Sequence, residues 1–298
     1  TYFETQPLPH AGAWYAHQLP EWMLQTGVVF TFFAELIVPF FIFLPRRFRL
    51  FAAGVTLVIQ LLIIATSNHN FINLLTIALC LFLLDDHALR WLPQKAGAIV
   101  ERARLPLREL VLNRLLLPPM ALVVVLGSST LALEVFAGIK PPAVLNELSS
   151  ISRAWGQANV YHVFPNMQTD RQELLIEGSD DGVTWKAYRF RHKPSVAAEM
   201  PKFIVPLHPR LDWMMWFVPT QNPAMRPWFE SFLWRLRQGS PTVVALLAEN
   251  PFEHAPPKHI RVLAFAFRFT TTAERQASGN FWQRRYLGEF PRVPPRNP

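Results

Sequence analysis

All nine lysines and arginines that precede Lys140 fall into two clusters, and that spacing limits how the chain can thread a bilayer. Residues 1–45 contain none. Arg46, Arg47 and Arg49 form the first cluster; Arg90, Lys95, Arg102, Arg104, Arg108 and Arg114 form the second. Cytoplasmic loops carry the excess of Lys and Arg, so both clusters are expected on the inner face of a multi-pass membrane protein. Apolar stretches at 22–44, 48–66, 70–84 and 115–139 supply the spans. The third is short for a bilayer that needs about 20 apolar residues. It is nevertheless expected to cross, because otherwise the two basic clusters would lie on opposite faces. Pro118 and Pro119 suit the first turn of the fourth span, where missing amide donors cost little. Four crossings then place residue 1 and everything after 140 outside: in the periplasm of a bacterium, or in the lumen of a eukaryote. The basic stretch after Asp85-Asp86 forms a cytoplasmic connection, with a helix expected at 95–114.

Charged residues make up 17% of the chain, below the share of about 25% usual in soluble proteins. The basic surplus lies late: residues 1–139 carry nine basic and eight acidic side chains, residues 140–298 twenty and thirteen. That surplus suits phospholipid head groups or an acidic partner. No nucleic-acid reader motif is present, so no nucleic acid is expected as a partner. Cys80 is the only cysteine, which excludes an intrachain disulfide and a Cys-based metal site. The chain begins at Thr1 without methionine or signal-peptide pattern and contains no Asn-x-Ser/Thr sequon. It is expected to be a fragment that lacks upstream spans.

After Lys140-Pro141-Pro142 the texture turns mostly β. Strands are expected at 172–177, 183–191, 202–206 and 261–269 from alternation and β-formers. Ser179-Asp180-Asp181-Gly182 carries the Asp-Gly hairpin signature. Apolar residues at 228, 229, 232, 233 and 236 give a helix over 228–237, and 243–248 is ambiguous. The fold class expected is an α+β membrane protein. A transmembrane helical region at 1–140 precedes a β-rich, jelly-roll or sandwich-like extramembrane domain at 141–298 with one or two helices.

Several residues are candidates for chemistry. Glu35 is a carboxylate deep inside a span, where an ionised form costs about 3 kcal/mol on insertion scales. It reads either as a proton relay or as a protonated group bonded to a neighbouring helix, with Gln60 as the partner; either way it should face protein. Asn68, His69, Asn70 and Asn73 cluster at the outer mouth of the third span. One histidine among amides is a poor metal set, so helix capping and interhelix hydrogen bonds are the better reading, and no metal or cofactor is expected. Asp85-Asp86 reads as a solvated span terminus. In the outer domain, Arg210 and Asp212 are spaced to salt-bridge along one strand face beside Trp213 and Trp216. With Trp228 they make a candidate client-binding set, since Trp and Arg anchor hot spots; core packing competes with that reading. Hydrolase elbow, Walker loop and dinucleotide fingerprint are all missing.

The motifs ETQPLP (4–9), TFFAELIVPFFIFLPRRFR (31–49) and TSNHNFINLLTIALCLFLLDD (66–86) resemble the first half of lipase maturation factors. The second half is similar through EGSDDGVTW (177–185), HPRLDWMMWF (208–217), PWFESFLWRLRQG (227–239), ENPF (249–252), PPKHIR (256–261) and FWQRRYLGEF (281–290). The resemblance implies a multi-pass, non-enzymatic factor, in eukaryotes of the endoplasmic reticulum membrane, that helps secreted homodimeric lipases fold and assemble. The missing outer-domain cysteines, sequons and upstream spans fit a bacterial member of the inner membrane. The partners expected are membrane lipid and a lipase-like client. Two alternatives stay open. One is a membrane enzyme using Glu35 and His69 for acid/base chemistry, since the helical part distantly resembles vitamin K-dependent carboxylases. The other is an envelope module that binds lipid or glycan.

Overall fold

A computed structural model of the chain describes residues 2–69, 71–85, 87–90, 112–156, 168–220 and 223–291. The chain divides into two compact units that do not follow chain order: Thr1–Asp86 with Met167–Pro298, and His87–Asn166.

In the first unit, short helices α1 (Tyr2–Thr5) and α2 (Ala11–His17) lead into α3 (Glu21–Phe32). That helix continues as a π turn at Phe33–Ile37 and a 3-10 stretch at Val38–Phe43. Pro39 explains the change of winding, because it donates no amide hydrogen and its ring crowds the carbonyl four residues back. The next helix, α4 (Arg46–Thr66), has 21 residues, about 31 Å at 1.5 Å per residue, which matches a hydrocarbon core of about 30 Å. Glu21–Phe43 and Arg46–Thr66 are both long and apolar enough to cross a membrane.

The third apolar segment is α5 (Ile72–Leu79) with a 3-10 extension at Cys80–Leu83. At 12 residues it falls short of span length by itself. It runs antiparallel to α4 over most of that helix. Near one end Asn73 Nδ2 donates to Gln60 Oε1 at 2.7 Å. At the other, Asp85 pairs with Arg46 and lies 3.7 Å from Arg49, whose Nε donates to the Leu83 carbonyl at 3.1 Å. Asp85 is therefore an ion-paired helix end, and the adjacent Asp86 lies outside the described residues.

The sheet has four strands, β1 (Arg171–Ser179), β2 (Lys186–Ala187), β3 (His259–Phe269) and β4 (Trp282–Glu289), in the order β2-β1-β3-β4 with every pair antiparallel. A bulge separates Ala264 from Phe265 opposite Gly288, whose φ of 125° only glycine adopts without strain. Leu174, Ile176, Val262 and Ala264 bury one sheet face against α8 (Arg210–Met215), α9 (Arg226–Arg237) and the loop after the four-residue α10 (Pro241–Val244). A second cluster joins Trp14 of α2 to Phe267, Phe269, Phe281 and Trp282 at the other end of the sheet. The last helix, α11 (Thr272–Ser278), starts with a capping box between Thr271 and Glu274.

The second unit holds a π turn at Leu112–Leu116, then α6 (Leu117–Ala137) and α7 (Ala143–Ala154). The segment Arg114–Ala137 is the third helix of span length among the described residues. Pro118 and Pro119 occupy its first turn, and Gly138 closes it at φ 65°. Most of the expected 95–114 helix lies outside the described residues.

The α+β class holds: apolar spans come first, and an antiparallel sheet with helices follows. Four local expectations fail. The described residues form one sheet, not the two that a jelly-roll or sandwich stacks. The 183–191 strand shrinks to two residues, because Asp181 Oδ1 captures the amides of Val183 (2.8 Å) and Thr184 (2.7 Å) and curls the chain. Residues 202–206 form a turn. The RLDWMM segment is helical.

Candidate functional site

The segment ETQPLP places prolines at positions 7 and 9, so it cannot pair as a strand and its carbonyls need outside donors. Three side chains supply them along five consecutive residues. Arg171 Nη1 donates to the carbonyls of Glu4 (2.9 Å) and Gln6, and its Nη2 to Pro7 (2.9 Å). Trp216 Nε1 reaches the Thr5 carbonyl at 2.8 Å. Asn68 Nδ2 reaches the Leu8 carbonyl at 2.8 Å. One donor comes from the sheet, one from the end of α8 and one from the connection between α4 and α5.

Alternation along β1 puts Arg171 and Glu173 on the same face, opposite Leu174 and Ile176. Both are buried. A buried charge is tolerated when it is paired and most of its donors are bonded; Arg171 Nε is buried without a hydrogen-bond partner, and the guanidinium lies over the Trp282 ring at 5.2 Å. Glu173 Oε1 accepts from Arg171 Nη2 at 2.5 Å, and its Oε2 from Lys193 Nζ at 2.7 Å. Asp212, also buried, accepts the backbone amides of His192 (2.8 Å) and Lys193 (2.9 Å). Two cations and two anions thus balance around the N-terminal segment.

The same segment grips the end of α4. Gln6 Nε2 donates to the Thr66 carbonyl at 3.1 Å, and His10 Nε2 bonds the Ile64 carbonyl at 3.1 Å. A Cβ on Gly12 would lie 1.9 Å from the Ala65 carbonyl oxygen, so only glycine allows α2 this close to α4. Because His10 Nδ1 accepts the Gly12 amide at 2.9 Å, its ring is neutral with the proton on Nε2. Burial lowers the pKa of His10 and of His69.

Of the residues singled out from the sequence, Asn68, Asp212 and Trp216 belong to this clamp. Asn68 does not cap a helix; α5 starts at Phe71 without a side-chain cap. It instead bridges the carbonyls of Leu8 and Lys202 and accepts the Ile204 amide. His69 Nε2 meets the Tyr2 hydroxyl at 2.9 Å. Asp212 bonds backbone amides and not Arg210, which is exposed because the helix turns the two side chains apart. Trp213 is half-buried against the His208 ring, and Trp228 stacks on Phe232 at 5.9 Å. Glu35 is exposed within the π turn instead of facing protein, and Gln60 pairs with Asn73 instead of with it. Among the described residues no group of three His, Cys, Asp or Glu could hold a metal ion.

Sequence reasoning missed Arg171, Glu173 and Lys193. It also missed β4, which borders the described sheet. There a groove of about 680 Å³ runs past Asp170, Arg268, Gln283, Arg284 and Arg285. Glu274 neutralises Arg268, with a contact at 2.9 Å that, together with the helix cap, holds the Glu274 pKa down to about 2. Arg284 lies over the Phe265 ring, and Arg285 is exposed. An edge strand with free backbone groups and basic side chains can accept an extended acidic segment.

Two models of one family match the chain: the lipase maturation factor transmembrane domain over residues 1–91, and the lipase maturation factor C-terminal domain over residues 157–292. Lipase maturation factor 2 of Xenopus laevis is 30% identical over 97% of this chain and 55% of its own length. Lipase maturation factor 1 of Mus musculus is 32% identical (97% and 53%), and that of Homo sapiens 30% (97% and 53%). The chain spans about half the length of the curated relatives it matches. No solved structure matches it.

Two outcomes are expected. Arg171→Met leaves Glu173 and three carbonyls short of a donor and costs about 3–5 kcal/mol; Trp216→Phe costs about 1 kcal/mol. Thermal unfolding in detergent, with the two variants ranked in that order, is the check. For pH, a histidine whose folded pKa lies below its unfolded value near 6.5 contributes stability that is present above 6.5 and lost as pH falls toward the folded value. The melting temperature should therefore fall as pH drops below 6.5, and less so in His10→Gln.

Proposed function

The chain belongs to the lipase maturation factor family, and from that membership we propose that it is a membrane-anchored maturation factor that helps exported lipases fold and assemble. The observation that carries this reading is the clamp around residues 4–8. It ties the sheet to the membrane hairpin as one compact unit, so a client meets a surface held at a fixed place above the bilayer. We place client contact on the basic edge at Arg284 and Arg285, with exposed Arg210 and half-buried Trp213 and Trp228 as the remaining members of the expected set.

The action proposed is holding and not catalysis. The groups an intrabundle acid/base site would need go to other partners: Gln60 to Asn73 and His69 to Tyr2, while Glu35 is exposed. The lipid or glycan module has no separate observation in its favour.

The topology proposed is multi-pass, with the 72–83 segment as a short crossing and the sheet on the extracytoplasmic or lumenal side. Two facts support it. The loop Lys202–Ile204, in the same compact unit as the sheet, bonds Asn68 beyond the end of α4, whereas Arg46, Arg47 and Arg49 lie at the opposite end of that helix. Basic clusters stay cytoplasmic.

An alkaline phosphatase fused after Pro298 should be active in bacterial cells and a fluorescent-protein fusion dark; the reverse pattern rejects this sidedness. In a host that secretes a lipase, deletion should lower lipase activity per molecule without lowering its synthesis. Arg284→Glu with Arg285→Glu should reduce client co-purification while leaving the melting temperature unchanged. Unchanged lipase activity per molecule after deletion would sink the maturation reading.

A further inference from the structure

We propose that the turn around Phe203 and Leu207 is a second membrane anchor, docked in the interfacial layer of the outer leaflet next to the spans. The inference rests on the membrane reading of α4 and goes beyond it.

The position of this turn is set by hydrogen bonds. Asn68, two residues past the end of α4, donates to the Lys202 carbonyl at 2.9 Å and accepts the Ile204 amide at 3.1 Å. Phe203 lies between those two bonds, and its ring meets His10 at 5.3 Å. The 21 residues of α4 rise about 31 Å, the thickness of the hydrocarbon core. With Arg46 at one boundary, Thr66 falls at the other. Phe203 is thus fixed at the level where acyl chains give way to head groups.

The side chains suit that level. Ile204 turns inward and is buried, whereas Phe203 is 58% exposed, Leu207 63% and Met200 54%. Large apolar side chains this exposed carry a cost in water that burial a few ångströms into the interface removes. Phe71 and Ile72 are likewise exposed at the start of α5, three and four residues from the same Asn68. Polar groups in the turn do not oppose docking, because Lys202 is paired with Glu199 at 2.8 Å and also bonds the Arg191 carbonyl at 2.8 Å. The partner is therefore the lipid bilayer itself.

The test uses the full chain in phosphatidylcholine nanodiscs, with Cys80→Ala as background and single cysteines at Phe203→Cys, Leu207→Cys, Phe71→Cys and Val183→Cys, each labelled with an environment-sensitive fluorophore. Val183 is exposed beyond the far end of β1, so it reports solvent. Phe71 reports the bundle. Lipids carrying a shallow doxyl quencher should quench the labels at 203 and 207 by a fraction close to that at 71 and well above that at 183. Quenching no greater than at 183 overturns the proposal. A blue-shifted label at 203 or 207 that lipid quenchers do not reach also overturns it, since protein would then cover the patch. If position 71 itself escapes quenching, the bundle is not in the bilayer, and the membrane reading falls together with the anchor.

Discussion

The buried guanidinium of Arg171 is the interaction on which the rest of the fold depends. Removing a cation from water is expensive, and the cost is recovered only when every surrounding acceptor is well placed. Here the acceptors are three main-chain carbonyls from residues 4–7 and one oxygen of Glu173. Glu4 lies in the last turn of α1, where carbonyls run out of helical donors, and Gln6 and Pro7 lie past its end. Each side therefore satisfies a need of the other: the proline-interrupted segment gains donors, and the arginine gains acceptors. The contact links residues more than 160 positions apart. It makes one unit of the first membrane segments and the sheet, while the intervening Arg114–Ala137 helix belongs to the other compact unit.

The clamp also explains why α4 ends as it does. Thr66, Ala65 and Ile64 offer carbonyls at the end of α4, the last helical turn, where intrahelical donors run out. Gln6 and His10 bond the carbonyls of Thr66 and Ile64, and the missing side chain of Gly12 leaves room for that of Ala65. A helix terminus that would otherwise rely on water is closed by protein. At the opposite end of α4 the closure is ionic and more exposed, through Arg46, Arg49 and Asp85.

Three of the four expected spans were legible as helices long and apolar enough to cross a membrane, because their signal is cumulative: about twenty apolar residues agree with one another, and no single position decides. The strands 171–179 and 259–269 were legible for the same reason, as were the apolar positions of the 226–237 helix. Failures occurred where one atom outweighs a local pattern. Asp181 captures two amides and shortens a strand whose alternation looked sound. RLDWMM has residues that suit a strand, yet a helix places Leu211 and Met215 together in the core. Asn68 was recognisable as a polar residue at a span mouth, but its partners at positions 8, 202 and 204 lie too far along the chain for spacing to reveal. Arg171 looked like one of twenty basic residues in a basic domain.

That last case bears on function. In residues 140–298, a charge count cannot separate cations that hold the fold from cations free to face a partner. Burial and ion pairing separate them. Arg171 and Lys193 are spent inside the clamp, and Arg268 is spent on Glu274. Arg284 lies on a phenylalanine ring with its charge turned to the groove, and Arg285 beside it is exposed on the same edge strand. Arg284 and Arg285 thus remain among the exposed cations, together with Arg210, Arg235, Arg237 and Lys258 on other elements. Under the function proposed above, such a surface would leave an exported chain little room to rotate while it pairs, because bonds made to residues 4–8 fix the sheet against the end of α4.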